Sequence, residues 1–173
     1  MWLLRLGVIV VLCIMIFQDF KFRGITWWLF PLLLAMLLAL SGLEGSFSET
    51  IYKFMMNGLF VGLQIGLLIL YFSVRRRTFT NIFQGYLGLG DLLFLVCLAA
   101  YLPLMSFAVF YVGSLLMVIV ISLCVMHLLK ISTNKIPLAG YQALFFLVLI
   151  LIELLHKQVI FSQEISILHT ILS

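Results

Sequence analysis

A bundle of six membrane-spanning α-helices is the fold class this sequence predicts, and three observations predict it. Only 9% of the 173 residues are charged and 65% are hydrophobic, whereas an average soluble domain is about 25% charged. The apolar residues gather into six runs, near the length of about 20 residues that crosses the hydrocarbon core. The polar residues sit between those runs in short connections. One transmembrane domain over 1–173 is therefore expected, with no separate water-soluble domain.

The first run covers about 2–17. Arg5 near its start is expected to snorkel to the interface. Gln18, Asp19, Phe20 and Lys21 follow instead of a small-residue cleavage site, so the run reads as a retained helix. The second run, about 26–43, opens with Trp27 and Trp28, which suit a membrane interface. The third, about 56–74, carries Gly58, Gly62 and Gly66 on one helical face, a pattern that lets a neighbouring helix approach closely. A polar connection from Arg75 leads to Gly88, Leu89, Gly90 and Asp91. The fourth and fifth runs cover about 92–107 and 108–129. A loop with Lys130 and Lys135 precedes the sixth, about 137–155, and the tail from His156 to Ser173 is expected to lie in the interface. Cys13, Cys97 and Cys124 lie far apart in apolar runs, which predicts buried thiols and no zinc or redox motif.

The formal net charge is +4, but no basic run interleaved with aromatics is exposed, which gives nucleic-acid binding no support. The distribution of the charges says more than their sum. Alternate connections hold Lys21, Arg23, Arg75, Arg76, Arg77, Lys130 and Lys135 on one side, and Arg5, Lys53 and Lys157 on the other. The excess of basic residues assigns the first side to the cytoplasm, with both termini outside. Asp19 and Asp91, the only aspartates in the chain, then fall at the cytoplasmic edge at similar depth.

Ionisable residues at such a depth usually face the bundle interior and have a role. Two carboxyl groups brought together share a proton and titrate as a unit. One member can activate water while the other protonates a carbonyl oxygen. Gly88 and Gly90 leave the backbone beside Asp91 open to a bend or to an approaching substrate strand. The same glycines also suit a plain turn in which Asp91 caps the fourth helix.

Gly88, Leu89, Gly90 and Asp91 at the start of a fourth helix resemble the signature of the GxGD membrane aspartic proteases. Asp19 with Lys21, Arg23 and Ile25 looks like the first-aspartate motif of the type IV prepilin peptidases. Ile136, Pro137, Leu138, Ala139 and Gly140 are similar to a looser family feature that enters the last helix. The resemblance runs through nearly the whole chain in the right order. It implies an all-helical GxGD aspartic protease-like fold in the cell inner membrane, with Asp19 and Asp91 catalytic. Gly88, Gly90, Lys21, Arg23 and Pro137 would bind substrate or shape the site. It implies removal of the short basic leader of a prepilin or pseudopilin-like protein, in pilus assembly or protein secretion, without metal or organic cofactor. The cysteine-rich insert of the methylating members is absent from the sequence. Leu93 stands where the family commonly has Lys, and Thr26 and Trp27 stand where it often has Pro and Asn.

Two other readings remain open. One is a small proton or cation transporter subunit that uses the same aspartates. The other is an inactive relative that binds prepilin. Glu153 and His156 are expected at a solvated helix end, and His127 near a helix end where a cation is favoured. The Arg75, Arg76 and Arg77 run is expected to anchor at anionic headgroups. Gln18 and Gln84 flank the aspartates and are expected to bond substrate backbone or to be solvated at the interface. Tyr141 is expected to face the site.

Overall fold

The computed structural model describes residues 2–76, 88–129 and 137–156. Six helices follow one another: α1 (Trp2–Phe22), α2 (Leu29–Glu44), α3 (Phe47–Arg76), α4 (Leu89–Ala99), α5 (Leu104–Leu129) and α6 (Leu138–His156). No strand occurs among the described residues. The interfacial tail, Gln84, Arg77, Lys130 and Lys135 lie outside them.

Three of the helices, α1, α3 and α5, are long and apolar enough to cross a membrane; α2, α4 and α6 are apolar but shorter. The bundle is apolar outside as well as inside. Leu59, Leu63, Leu67 and Leu70 of α3 are exposed, as are Val109, Leu116, Val120 and Leu123 of α5. Helices hydrophobic all round belong in a large core or in hydrocarbon.

The core is built by α1, α2, α4 and α6. Val8, Leu12 and Met15 form one stripe of α1, and Leu33, Leu37 and Leu40 one stripe of α2. Ala143, Phe146 and Ile150 face them from α6, while Phe94, Leu95 and Leu98 fill the middle from α4. These spacings of three and four residues place each set on one helical face. They also place Arg5 and Asp19 on the buried stripe of α1, and Ala139 and Glu153 on that of α6.

Several boundaries differ from the sequence expectation, each for a local reason. α1 continues past Phe17 to Phe22, because nothing in Gln18, Asp19, Phe20 or Lys21 breaks a helix. It ends where Arg23 turns to φ 55° and its N–H returns to the Asp19 carbonyl at 3.0 Å. α3 begins at Phe47 rather than near 56, since Ser46 Oγ accepts the Glu49 N–H at 3.2 Å, one half of a capping box. α4 stops at Ala99 rather than 107. The chain turns over residues 100–103 and α5 restarts at Leu104, where the Pro103 carbonyl accepts the Phe107 N–H at 2.8 Å. Asn57 of α3 holds that turn, donating from Nδ2 to the carbonyls of Ala99 and Leu102 at 3.0 and 2.7 Å.

Two expectations about packing are corrected. Among the described residues nothing lies within 4 Å of a Cβ placed on Gly58, Gly62 or Gly66, so that face of α3 receives none of the other described helices. Cys13 and Cys124 are exposed on the apolar surface, and only Cys97 is buried, where its Sγ donates to the Phe30 carbonyl at 3.3 Å.

Candidate active site

The N-terminal turn of α6 organises the site. The Pro137 carbonyl accepts the Tyr141 N–H at 3.2 Å, the first bond of the helix. The N–H groups of Ala139 and Gly140 come before any intrahelical acceptor is available to them. The Gly140 N–H donates to Asp19 Oδ2 at 2.6 Å. The Asp91 carboxyl group lies within electrostatic reach of the Ala139 and Gly88 N–H groups. Two carboxyl groups from α1 and α4, 72 positions apart in the chain, are thus brought to consecutive backbone N–H groups of a third helix. Asp91 lies within electrostatic range of Asp19.

Burial and close approach fix this arrangement. Asp19 is 7% exposed. A Cβ on Gly140 would stand 2.9 Å from Asp19 Oδ2, 3.1 Å from the Asp19 Cβ and 3.2 Å from a Phe20 ring carbon. Only glycine lets α6 come this near α1. A Cβ on Gly88 would stand 2.6 Å from Asp91 Oδ2, so the carboxyl group folds back over that residue. Gly90 meets only the Phe30 ring, at 3.7 Å. Pro137 supplies the cap of α6 and no side-chain contact to either aspartate is seen among the described residues.

The remaining residues singled out in the sequence take varied places. Arg23 lies within electrostatic reach of Asp19. Lys21 turns along the outer surface of α1, with Nζ 5.1 and 5.3 Å from the ring centres of Phe17 and Phe22. Tyr141 packs edge-on against Phe20, the neighbour of Asp19, at 4.9 Å. Gln18 Oε1 accepts the Thr26 N–H at 2.8 Å and closes the α1–α2 turn. Leu93 is 40% exposed. Arg75 donates to the Tyr71 hydroxyl at 2.7 Å. Among the described residues no three His, Cys, Asp or Glu side chains come together as metal ligands would.

The donors on Ala139 and Gly140 are not apparent from residue types, since a backbone N–H has no letter. The signal available was the proline followed by small residues at the start of α6, which marks both a cap and a site of close approach.

At the opposite end of α1 the sequence expectation fails. Arg5 does not snorkel outward. Its Nη2 meets Glu44 Oε1 at 2.6 Å and Glu153 Oε1 at 2.9 Å. Glu153 is 5% exposed and not a solvated helix end. The Tyr101 hydroxyl completes the cluster, 3.2 and 3.1 Å from the two Glu153 oxygens.

Family models, curated proteins and solved structures were all compared with the chain, and none matches it.

Proposed function

We propose that this protein is a membrane-embedded aspartic endopeptidase that removes the short basic leader of a prepilin- or pseudopilin-like protein at the cytoplasmic face of the inner membrane. The observation that carries the reading is the meeting of Asp19 and Asp91 at the first turn of α6. One anion is enough to complement a helix N-terminus. A second carboxyl group packed beside it is unfavourable unless the pair shares a proton. The two motifs that resemble the prepilin peptidases are the two that supply these carboxyl groups.

In this mechanism the ionised aspartate takes a proton from water while the water oxygen attacks the peptide carbonyl carbon. The protonated aspartate donates to the carbonyl oxygen. A proton then passes to the amide nitrogen, the C–N bond breaks, and a carboxylic acid and an amine leave. The backbone donors of α6 hold both carboxyl groups without consuming all their lone pairs, which leaves acceptor sites for water. The basic connections favour the cytoplasm for this end of the bundle.

The test is co-expression with a prepilin-like substrate carrying a basic leader. The wild-type chain should shorten the substrate, and Asp19→Asn and Asp91→Asn should each abolish the shift. Substrate that is bound but never shortened would indicate an inactive relative. Proton or cation flux in vesicles, lost in the same variants, would favour a transporter.

A further inference from the structure

The Arg5 cluster sits far from the aspartates, yet the two are tied to the same pair of helices. Fourteen positions separate Arg5 from Asp19 on α1, and thirteen separate Gly140 from Glu153 on α6. At 1.5 Å per residue these are spans of ~21 and ~20 Å. The antiparallel helices therefore carry two pairs of polar contacts at matched separation: Asp19 with Gly140 at one end, Arg5 with Glu153 at the other. Between them the facing residues are aliphatic or aromatic: Val8, Leu12 and Met15 against Ala143, Phe146 and Ile150. Such a surface specifies register weakly, since a slip of one turn, about 5.4 Å, again sets apolar against apolar. In hydrocarbon no hydrophobic force selects among these packings.

We propose that Arg5, Glu44, Glu153 and Tyr101 form a positioning clasp that sets the register of α6 against α1, so that the Gly140 N–H arrives at Asp19. Setting register is the best-attested use of buried ionic and polar groups, whose net contribution to stability is often small. Arg5 is the shared donor of the clasp, bridging α2 and α6 from α1. Glu153 is its register element, held by Arg5 and by Tyr101 from the turn after α4. These residues touch no substrate; they act through the placement of α6. The link to cleavage rests on the proposed protease reading, whereas the register itself does not.

Cross-linking reads register directly. Cys13 of α1 lines an open apolar groove together with Leu144 and Leu147 of α6. In the full chain in membranes, with Cys124→Ser, Leu144→Cys or Leu147→Cys should cross-link to Cys13 with a short thiol reagent. Leu151→Cys, a turn further on, should not. The triple variant Arg5→Met, Glu44→Gln, Glu153→Leu replaces the charges with residues of similar bulk, an exchange often neutral for stability. It should lower the preference for the first two positions over Leu151→Cys by about tenfold, equivalent to ~1.4 kcal/mol of register preference. Glu153→Gln alone should move the pattern the same way, less far, and covers the case in which the triple variant fails to fold. A cross-linking pattern identical to wild type in whichever variants fold, even with reduced thermal stability, would overturn the clasp. If wild type cleaves no substrate while the pattern shifts as expected, the protease reading fails and the clasp stands.

Discussion

At its two ends the α1–α6 pair surrounds its acids with opposite kinds of partner. Around Glu153 and Glu44 the partner is the Arg5 guanidinium, a full charge at 2.9 and 2.6 Å. Around Asp19 and Asp91 the partners are backbone N–H groups of Ala139, Gly140 and Gly88. A guanidinium beside carboxylates favours their ionised form and makes them poor bases. A helix N-terminus supplies about half a charge and leaves oxygen lone pairs open. The first arrangement suits holding; the second suits chemistry.

The sharpest way to break this comparison is to remove the carboxylates one at a time. Asp19→Asn or Asp91→Asn should reduce leader removal by at least ~10²-fold, the scale of a lost general acid or base, while helix content by circular dichroism stays unchanged. Equal loss from a charge-neutral change in the Arg5 cluster would erase the distinction. Gly140→Ala comes next. The added methyl group meets the Asp19 carboxyl and its Cβ, and overpacking of this kind costs about 1–3 kcal/mol. Thermal unfolding in detergent should show that loss together with weakened cleavage.

Arg23→Gly sharpens the comparison differently. A non-glycine residue in the left-handed region is strained by about 1 kcal/mol, so glycine at φ 55° relieves that strain while removing the interactions of the Arg23 side chain. Cleavage should nevertheless fall several-fold if the guanidinium matters to Asp19, and Arg23→Lys should recover part of it. Full activity in Arg23→Gly would remove Arg23 from the site. The smallest effect is expected from Lys21→Gln. Its ammonium leans on Phe17 and Phe22, a contact worth about 0.5–1 kcal/mol, so unfolding should shift slightly and cleavage should stay near wild type.

Much of this was legible in the sequence, because a membrane helix is a long-range compositional signal. The number of helices and their order follow from it. The meeting of Asp19 and Asp91 rests on weaker ground: only the alternation of basic connections brings two residues 72 positions apart to one end. Helix ends were less legible, since polarity was taken for a break. Gln18, Asp19 and Lys21 are polar but helical, and α1 stops at the backbone reversal of Arg23 rather than at the first charge. The start of α3 is written in Ser46 and Glu49, a capping signal that apolar patterning does not carry. Pro103 likewise marked the α4–α5 turn. The burial of Glu153 had its own signature, since Ala139, Ala143, Phe146, Ile150 and Glu153 share one stripe. Its partner Arg5 did not, because spacing identifies a face and not which helix lies against it. The glycines of α3 show the reverse: small residues permit a close approach, but among the described residues no helix makes one.

Asn57 has a further consequence for mobility. The turn after α4 is buried at Ala100, Tyr101 and Leu102, and its carbonyls are held by a side chain rooted in α3. Sliding α4 along its own axis would strand both carbonyls and the amide, at about 1–3 kcal/mol each. Asp91 therefore rides on a stationary strut. An opening at the first turn of α6 would have to loosen the Gly140 N–H bond to Asp19 and the contact of Tyr141 with Phe20.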